Sequence, residues 1–225
     1  MIKYYFFQSL LIILFFHTPI IAQEYDSLAE AVYNKDIDKI NILLDSGIDV
    51  NITTKEYPST VLFIACSFKD FDDIVSYLIS KGADINIKGK DGKTPLMLAA
   101  SNSLESTKIL LEHGANIKAK ADDGMTAFLQ CTFGVISNKV TTDVMDLLLK
   151  NGANVNDALS GKDTPGWTAL MLASINGDYD LAKYLIIHGA NVNHTSNEGI
   201  TALSLAKQEK YDNIVMLLKK HGALE

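Results

Sequence analysis

Apolar residues recur along this chain in short paired bursts separated by polar turns. The first burst of a pair is dense, as in Leu96-Met-Leu-Ala-Ala100 and Leu170-Met-Leu-Ala173. The second has apolar positions eight, five and four residues ahead of a glycine. Ile74, Tyr77 and Leu78 precede Gly82; Val144, Leu147 and Leu148 precede Gly152. Leu181, Tyr184 and Leu185 precede Gly189; Ile214, Leu217 and Leu218 precede Gly222. That spacing predicts one face of an α-helix. Each pair therefore reads as a short helix, a turn and a second helix.

The boundaries of the pairs carry their own signals. Thr60, Thr94, Thr126, Thr168 and Thr201 stand just before the first bursts, with Asp26 in the corresponding place of the first unit. A side-chain oxygen there can accept an otherwise unpaired helix N–H. The closing glycines Gly47, Gly82, Gly114, Gly152, Gly189 and Gly222 fall just past the second helices, where a positive φ is favourable only without a side chain. Asp91-Gly92, Asp123-Gly124 and Glu198-Gly199 then suit hairpin tips.

The same words recur with the same period. Gly-Ile-Asp-Val-Asn51, Gly-Ala-Asp-Ile-Asn86, Gly-Ala-Asn-Ile-Lys118, Gly-Ala-Asn-Val-Asn156 and Gly-Ala-Asn-Val-Asn193 close successive units. Thr-Pro-Leu96, Thr-Ala-Leu170 and Thr-Ala-Leu203 open them. Self-similarity near 33 residues with these openings and closings resembles the ankyrin repeat. The resemblance covers residues 24 to 225. It implies an all-α solenoid of six helix-turn-helix repeats with hairpin-like finger turns, at about 24–51, 52–88, 89–120, 121–158, 159–195 and 196–225. No unit buries its apolar face alone, so stacking must supply the core. Glu24, Asp26, Glu30, Asn34, Lys35 and Asp36 suit an N-terminal cap, and Lys207, Gln208, Glu209 and Lys210 a C-terminal one, as expected of a complete array.

Departures from the family pattern set further expectations. The family's His after Thr-Pro-Leu is replaced by Phe63, Met97, Leu129, Met171 and Ser204, so looser turns are expected. The fourth unit has a surplus at Gly134-Val-Ile-Ser-Asn-Lys-Val140, expected between its two helices. The next finger has another, Asp157 to Pro165.

Residues 1–22 differ from the rest. Lys3 precedes the apolar run Leu10 to Phe16, Pro19 follows, and Ile20-Ile21-Ala22 leads into polar Gln23. This layout predicts a secretory signal peptide cleaved after Ala22, with an uncleaved anchor as the alternative. Gln8, His17 and Pro19 interrupt a span of the roughly 20 apolar residues a bilayer needs, so no stable membrane insertion is expected after cleavage.

Charge narrows the partner. The net charge is −7, and all the basic residues are Lys. Nucleic acid is therefore not expected, because phosphate affinity comes from basic neutralisation and bidentate phosphate contacts favour Arg. A basic protein target suits the acidic balance.

Candidate chemistry is thin. Cys66 and Cys131 fall in first helices two units apart, and packed helices sit about 8–10 Å apart. A disulfide needs Cα atoms within about 7 Å, so two buried free thiols are expected. His113, His188 and His221 recur one per unit, in register before the closing glycines, and are expected to cap helix ends rather than converge on a metal. Gly89-Lys-Asp-Gly-Lys-Thr94 matches only the end of a phosphate-loop pattern and reads as a finger turn. Asn51-Ile-Thr53 and Asn193-His-Thr195 match the N-glycosylation sequon. No catalytic, metal or cofactor site is expected, and no enzyme activity. The resemblance implies a monomeric protein-binding scaffold, exported to the periplasm or secreted. Its candidate contact residues are Tyr57, Lys90, Asp122, Asp123, Asp163 and Trp167 on the finger turns. An inhibitor or immunity protein that plugs a toxin or enzyme is the alternative. Trp167 can instead pack on the helix start beneath it.

Overall fold

A computed structural model describes residues 20–54, 58–163 and 165–224. Among these residues the elements are twelve helices in six pairs. They are α1 (Ile20–Tyr33) with α2 (Ile37–Asp45), α3 (Val61–Cys66) with α4 (Asp72–Ser80), and α5 (Pro95–Ala100) with α6 (Leu104–Glu112). The rest are α7 (Ala127–Ile136) with α8 (Thr142–Lys150), α9 (Ala169–Ile175) with α10 (Tyr179–Ile187), and α11 (Ala202–Gln208) with α12 (Asp212–Lys220). The helices of a pair pack on each other, and first helices touch in the unbroken series α1, α3, α5, α7, α9, α11. The fold is an all-α repeat solenoid, as the periodicity predicts.

Its core is one continuous cluster running from Leu28 to Leu218. Helices α3, α5, α7 and α9 are nearly all apolar, so Val61, Leu62, Leu96, Phe128 and Leu170 are sandwiched between neighbours and fully buried, as is Ala206 of α11. Helix α12 buries the predicted Ile214, Leu217 and Leu218, whereas α4, α6, α8 and α10 bury a slightly different stripe. Positions eight, seven and four before the glycine are deepest, as at Ile74, Val75 and Leu78 or Val144, Met145 and Leu148. The position five before the glycine sits at the seam with the preceding second helix. There Tyr77 donates to Asn41 Oδ1, and Tyr184 donates to Asp146 Oδ1. A half-buried tyrosine serves that seam because its ring packs while its hydroxyl stays paired.

Two further differences from expectation have plain causes. Asp26 is no N-cap: α1 begins at Ile20, so Asp26 lies within the helix, where partial burial raises its carboxyl pKa. The leader expected over residues 1–22 falls mostly outside the described residues, which begin with Ile20 in α1. The surplus of the fourth unit is only partly a loop: Gly134 to Ile136 belong to α7, and Ser137 to Val140 form the turn before α8. The helical part lengthens α7 to ten residues, against six or seven in α3, α5, α9 and α11. About one extra turn absorbs it.

The repeated closing phrase is a device for joining units. The first Asx of each phrase folds the backbone by accepting from the N–H two residues on, as Asn154 Oδ1 does from Asn156 at 3.0 Å. The last Asn reaches into the next unit. Asn156 Nδ2 donates to the Gly189 carbonyl at 3.1 Å, while its Oδ1 accepts from Asn191 N–H at 2.7 Å. Asn51, Asn86 and Asn193 make the same double bond to Gly82, Gly114 and Gly222 and to the N–H groups of Asp84, Asn116 and Leu224. Asn51 and Asn193, the two sequon asparagines, are thereby committed to holding neighbouring units together. All six closing glycines have positive φ, between +85° and +99°. A Cβ at Gly152 would meet nothing within 4 Å, so only backbone strain opposes a side chain there. Gly152→Val is expected to cost about 1–2 kcal/mol, read by urea denaturation. An unchanged midpoint would show that the helix end relaxes freely.

Candidate functional site

The finger turns form one edge of the stack, and each is built locally. Gly89 N–H donates to the Lys93 carbonyl at 2.9 Å and Ala121 N–H to the Met125 carbonyl at 2.9 Å. Ser196 N–H bonds to Ile200 in the same way, at 2.8 Å. Among the described residues only two isolated antiparallel bridges occur, Ala158 with Thr168 and Thr195 with Thr201, so the fingers are turns rather than strands.

Successive tips are bonded to one another. Asp122 N–H donates to the Asp91 carbonyl at 3.1 Å. Ser160 and Gly161 N–H groups both donate to the Asp123 carbonyl, at 2.7 and 3.1 Å. Asn197 N–H donates to the Pro165 carbonyl at 3.1 Å, and His194 Nε2 lies 2.9 Å from the Gly166 carbonyl. The long finger from Asp157 to Pro165 thus lies against the tip before it, and its Leu159 is buried at 6% exposure. Lys120 bridges the same two fingers through a 3.0 Å ion pair with Asp157. Backbone bonds fix the tips, leaving side chains free to face outward.

Of the residues singled out from sequence, Lys90, Asp122 and Asp163 are exposed on these tips. Asp123 is half-buried, and its Oδ1 accepts from Met125 N–H at 2.9 Å, so it shapes its own turn. Trp167 is half-buried, packed against the core cluster, with its Nε1 buried and without a hydrogen-bond partner among the described residues. Tyr57 lies outside the described residues.

A second concavity of about 290 Å³ lies on the opposite edge, among the turns joining first to second helices. Its lining includes Lys69, Asp72, Ser103, Glu105, Lys139 and Val140. Ser103 and Ser106 both donate to Asp72 Oδ1, at 2.6 and 2.5 Å. Partial burial pushes this carboxyl up, but the serine hydroxyls and backbone N–H groups outweigh it and hold it below its ordinary value. Hydrophobic periodicity alone misses this network. Its signal is Ser106 and Thr107, polar residues at two of the three deepest positions of a second helix, both fully buried. With both hydroxyls committed to the carboxylate and no imidazole between them, the arrangement is a structural lock rather than a nucleophile.

Cys66 and Cys131 are buried and free. Burial, with a contribution from the Asp72 charge, pushes the Cys66 thiol far up, and burial takes Cys131 to about 12. Both are neutral core residues. His113 and His188 cap helix ends, with Nδ1 2.8 Å from the carbonyls of Ile109 and Tyr184. Among the described residues no group of three or more His, Cys, Asp or Glu converges as metal ligands would. No helix of the described residues is long and apolar enough to cross a membrane.

Comparison with known proteins agrees with this geometry. A family model of ankyrin repeats in three copies matches residues 28–121 and 133–224. The chain belongs to the ankyrin-repeat family. Among its relatives, the fowlpox virus ankyrin repeat protein FPV031 is 33% identical over 193 residues, covering 81% of this chain and 53% of its own. Human ankyrin repeat and SOCS box protein 6 is 28% identical over 188 residues, covering 75% of this chain and 44% of its own. The ankyrin repeat protein YahD of Escherichia coli is 28% identical over 200 residues, covering 86% of this chain and 94% of its own. The chain therefore spans about half the length of the first two relatives. Ankyrin repeats are protein-protein interaction modules and are generally non-enzymatic.

Seen as ankyrin units, the replaced histidines have different consequences. Ser204 does the missing bracing, with Oγ accepting from Thr201 N–H at 2.9 Å and Thr201 Oγ1 accepting from Ser204 N–H at 3.1 Å. Met97 offers only a sulfur, 3.4 Å from Thr94 N. Leu129 and Met171 retain the half of the cap made by their backbone, since their N–H groups donate to Thr126 and Thr168. In the second unit the Thr60 hydroxyl is buried without a partner among the described residues.

Proposed function

We propose that this ankyrin stack works outside the cytosol as a binding module for a protein partner, held by the finger tips and the adjoining concave face of the first helices. The observation that carries the reading is the tip-to-tip bonding. Backbone bonds fix the fingers before any partner arrives, so little ordering entropy is lost on binding. Lys90, Asp122 and Asp163 then project from a fixed edge.

Helices α3, α5, α7 and α9 contain no charged residue, so charge selection falls to the fingers. The leader-like layout of residues 1–22 supports export to the periplasm or secretion. The acidic balance of the chain favours a basic target, which suits an inhibitor or immunity role among protein-binding roles.

The test is capture from an extracytoplasmic fraction by the full chain, identified by mass spectrometry, against the triple variant Lys90→Ala, Asp122→Ala, Asp163→Ala. Each substitution is exposed and expected to change stability by no more than about 0.5 kcal/mol. The variant is expected to melt with the parent yet lose the captured protein. Capture that survives all three substitutions would move the contact surface elsewhere.

A further inference from the structure

The joint between the third and fourth units lacks the rung that four other joints possess. There the closing phrase is Gly-Ala-Asn-Ile-Lys, so Lys118 stands where Asn51, Asn86, Asn156 and Asn193 stand elsewhere. A carboxamide donates and accepts at once; an ammonium only donates. The groups an asparagine would have met are the Gly152 carbonyl and the Asn154 N–H. No hydrogen bond among the described residues reaches either one, and both residues are exposed.

The backbone presenting this pair has the same shape as the filled ones. Gly152 has φ +92°, against +89° at Gly189. Ala153 N–H donates to Leu148 at 3.0 Å, as Ala190 N–H does to Leu185 at 2.9 Å. Asn154 Oδ1 accepts from Asn156 N–H at 3.0 Å, as Asn191 Oδ1 does from Asn193 N–H at 3.0 Å. At the fifth unit this geometry holds a carboxamide at 3.1 and 2.7 Å.

We propose that the Gly152 carbonyl and Asn154 N–H form a preorganised receptor for a primary carboxamide, the Asn or Gln side chain of the partner. A carboxylate would satisfy the N–H but set its lone pairs against the carbonyl. A cationic head would satisfy the carbonyl and leave the N–H unmet. Only a group with both functions fills the pair, and the protein itself shows that filling four times. The receptor lies at the root of the finger that carries Asp163, next to the Lys118 end of the finger that carries Asp122 and Asp123. The source of the carboxamide rests on the protein-binding reading above; the receptor itself does not, and a small molecule tests it separately.

The probe is propionamide, the glutamine side chain capped by hydrogen, titrated into the ¹⁵N-labelled full chain with propionate and N,N-dimethylpropionamide as comparisons. Asn154 N–H is expected to shift saturably with propionamide and less with the other two. Lys118→Ala should keep that response. Lys118→Asn should abolish it by filling the pair from within, and should raise Tm by about 2–4 °C. Asp49 N–H, the homologous first-unit group, has no hydrogen-bond partner among the described residues and should respond in every variant, showing that the probe is active. A response at Asn154 that persists in Lys118→Asn, an absent response in the parent, or a stronger response to propionate would each overturn the assignment. Failure to capture a protein would leave these spectra unchanged and would count against the partner reading alone.

Discussion

Phe128→Ala is expected to lower the stability of the chain by about 3–5 kcal/mol, at the upper end of what one core truncation can do. Phe128 is 1% exposed and sits on α7, in the middle of the stack. The other units place Leu62, Leu96, Leu170 and Leu203 at the same point of their openings, so the fourth unit carries the bulkiest side chain of the series. Helices α5 and α9 flank it on either side. In a solenoid, stability is a sum over units and their interfaces, so emptying a central position weakens two interfaces together. The thermal midpoint should fall on the order of 10 °C, and the transition should broaden as the two ends lose coupling. A loss below about 1 kcal/mol would mean that α5 and α9 close over the cavity and that this joint is far softer than its burial indicates.

Gly134→Ala is the second large expectation, and its sign has to be decided between opposing effects. Gly134 lies inside α7, where alanine is favoured over glycine by about 1 kcal/mol. Against that, a Cβ built there meets the Ser101 Cα at 2.8 Å, Val140 Cγ2 at 2.9 Å and the Ser101 carbonyl oxygen at 3.0 Å. Two of these are backbone atoms of the preceding unit and cannot rotate away. Overpacking of this kind costs typically 1–3 kcal/mol, so net destabilisation of about 1–2 kcal/mol is expected. Urea denaturation of both proteins would decide it. A stabilised variant would show that the extra turn of α7 stands off from α5 and that the close approach is not maintained in solution.

The glycine also shows how the fourth unit accommodates its surplus. The additional residues could have formed a bulging loop. Gly134 to Ile136 instead continue the helix, because Val135 and Ile136 keep the apolar character of α7 and because Gly134 lets the extra turn lie against Ser101. The chain then turns at Asn138 with φ +55°, a conformation asparagine tolerates.

The sequence by itself determined the architecture. The 3.6-residue face, the opening threonines and the closing glycines are local signals repeated from unit to unit, and each repetition corroborates the others. The free state of the cysteines was also legible, because a two-unit separation along a stack is a distance. Finger tips were legible from Asp-Gly and Glu-Gly pairs. Exposure of Lys90 and Asp122 follows from their place on those tips, whereas Asp123 serves its own turn and Trp167 packs against the core.

Only the tertiary structure decided what passes between units. The bidentate reach of Asn156 to Gly189 and Asn191, the bonds of Ser103 and Ser106 to Asp72 and the Tyr184 bond to Asp146 each join residues a full unit apart along the chain. No local pattern encodes such a pair, because its energy depends on the relative position of two units that a single unit's sequence does not contain. The same reason hid the close approach of Gly134 to Ser101 and the consequence of Lys118. Local chemistry writes the brick; the mortar depends on what the neighbouring brick presents.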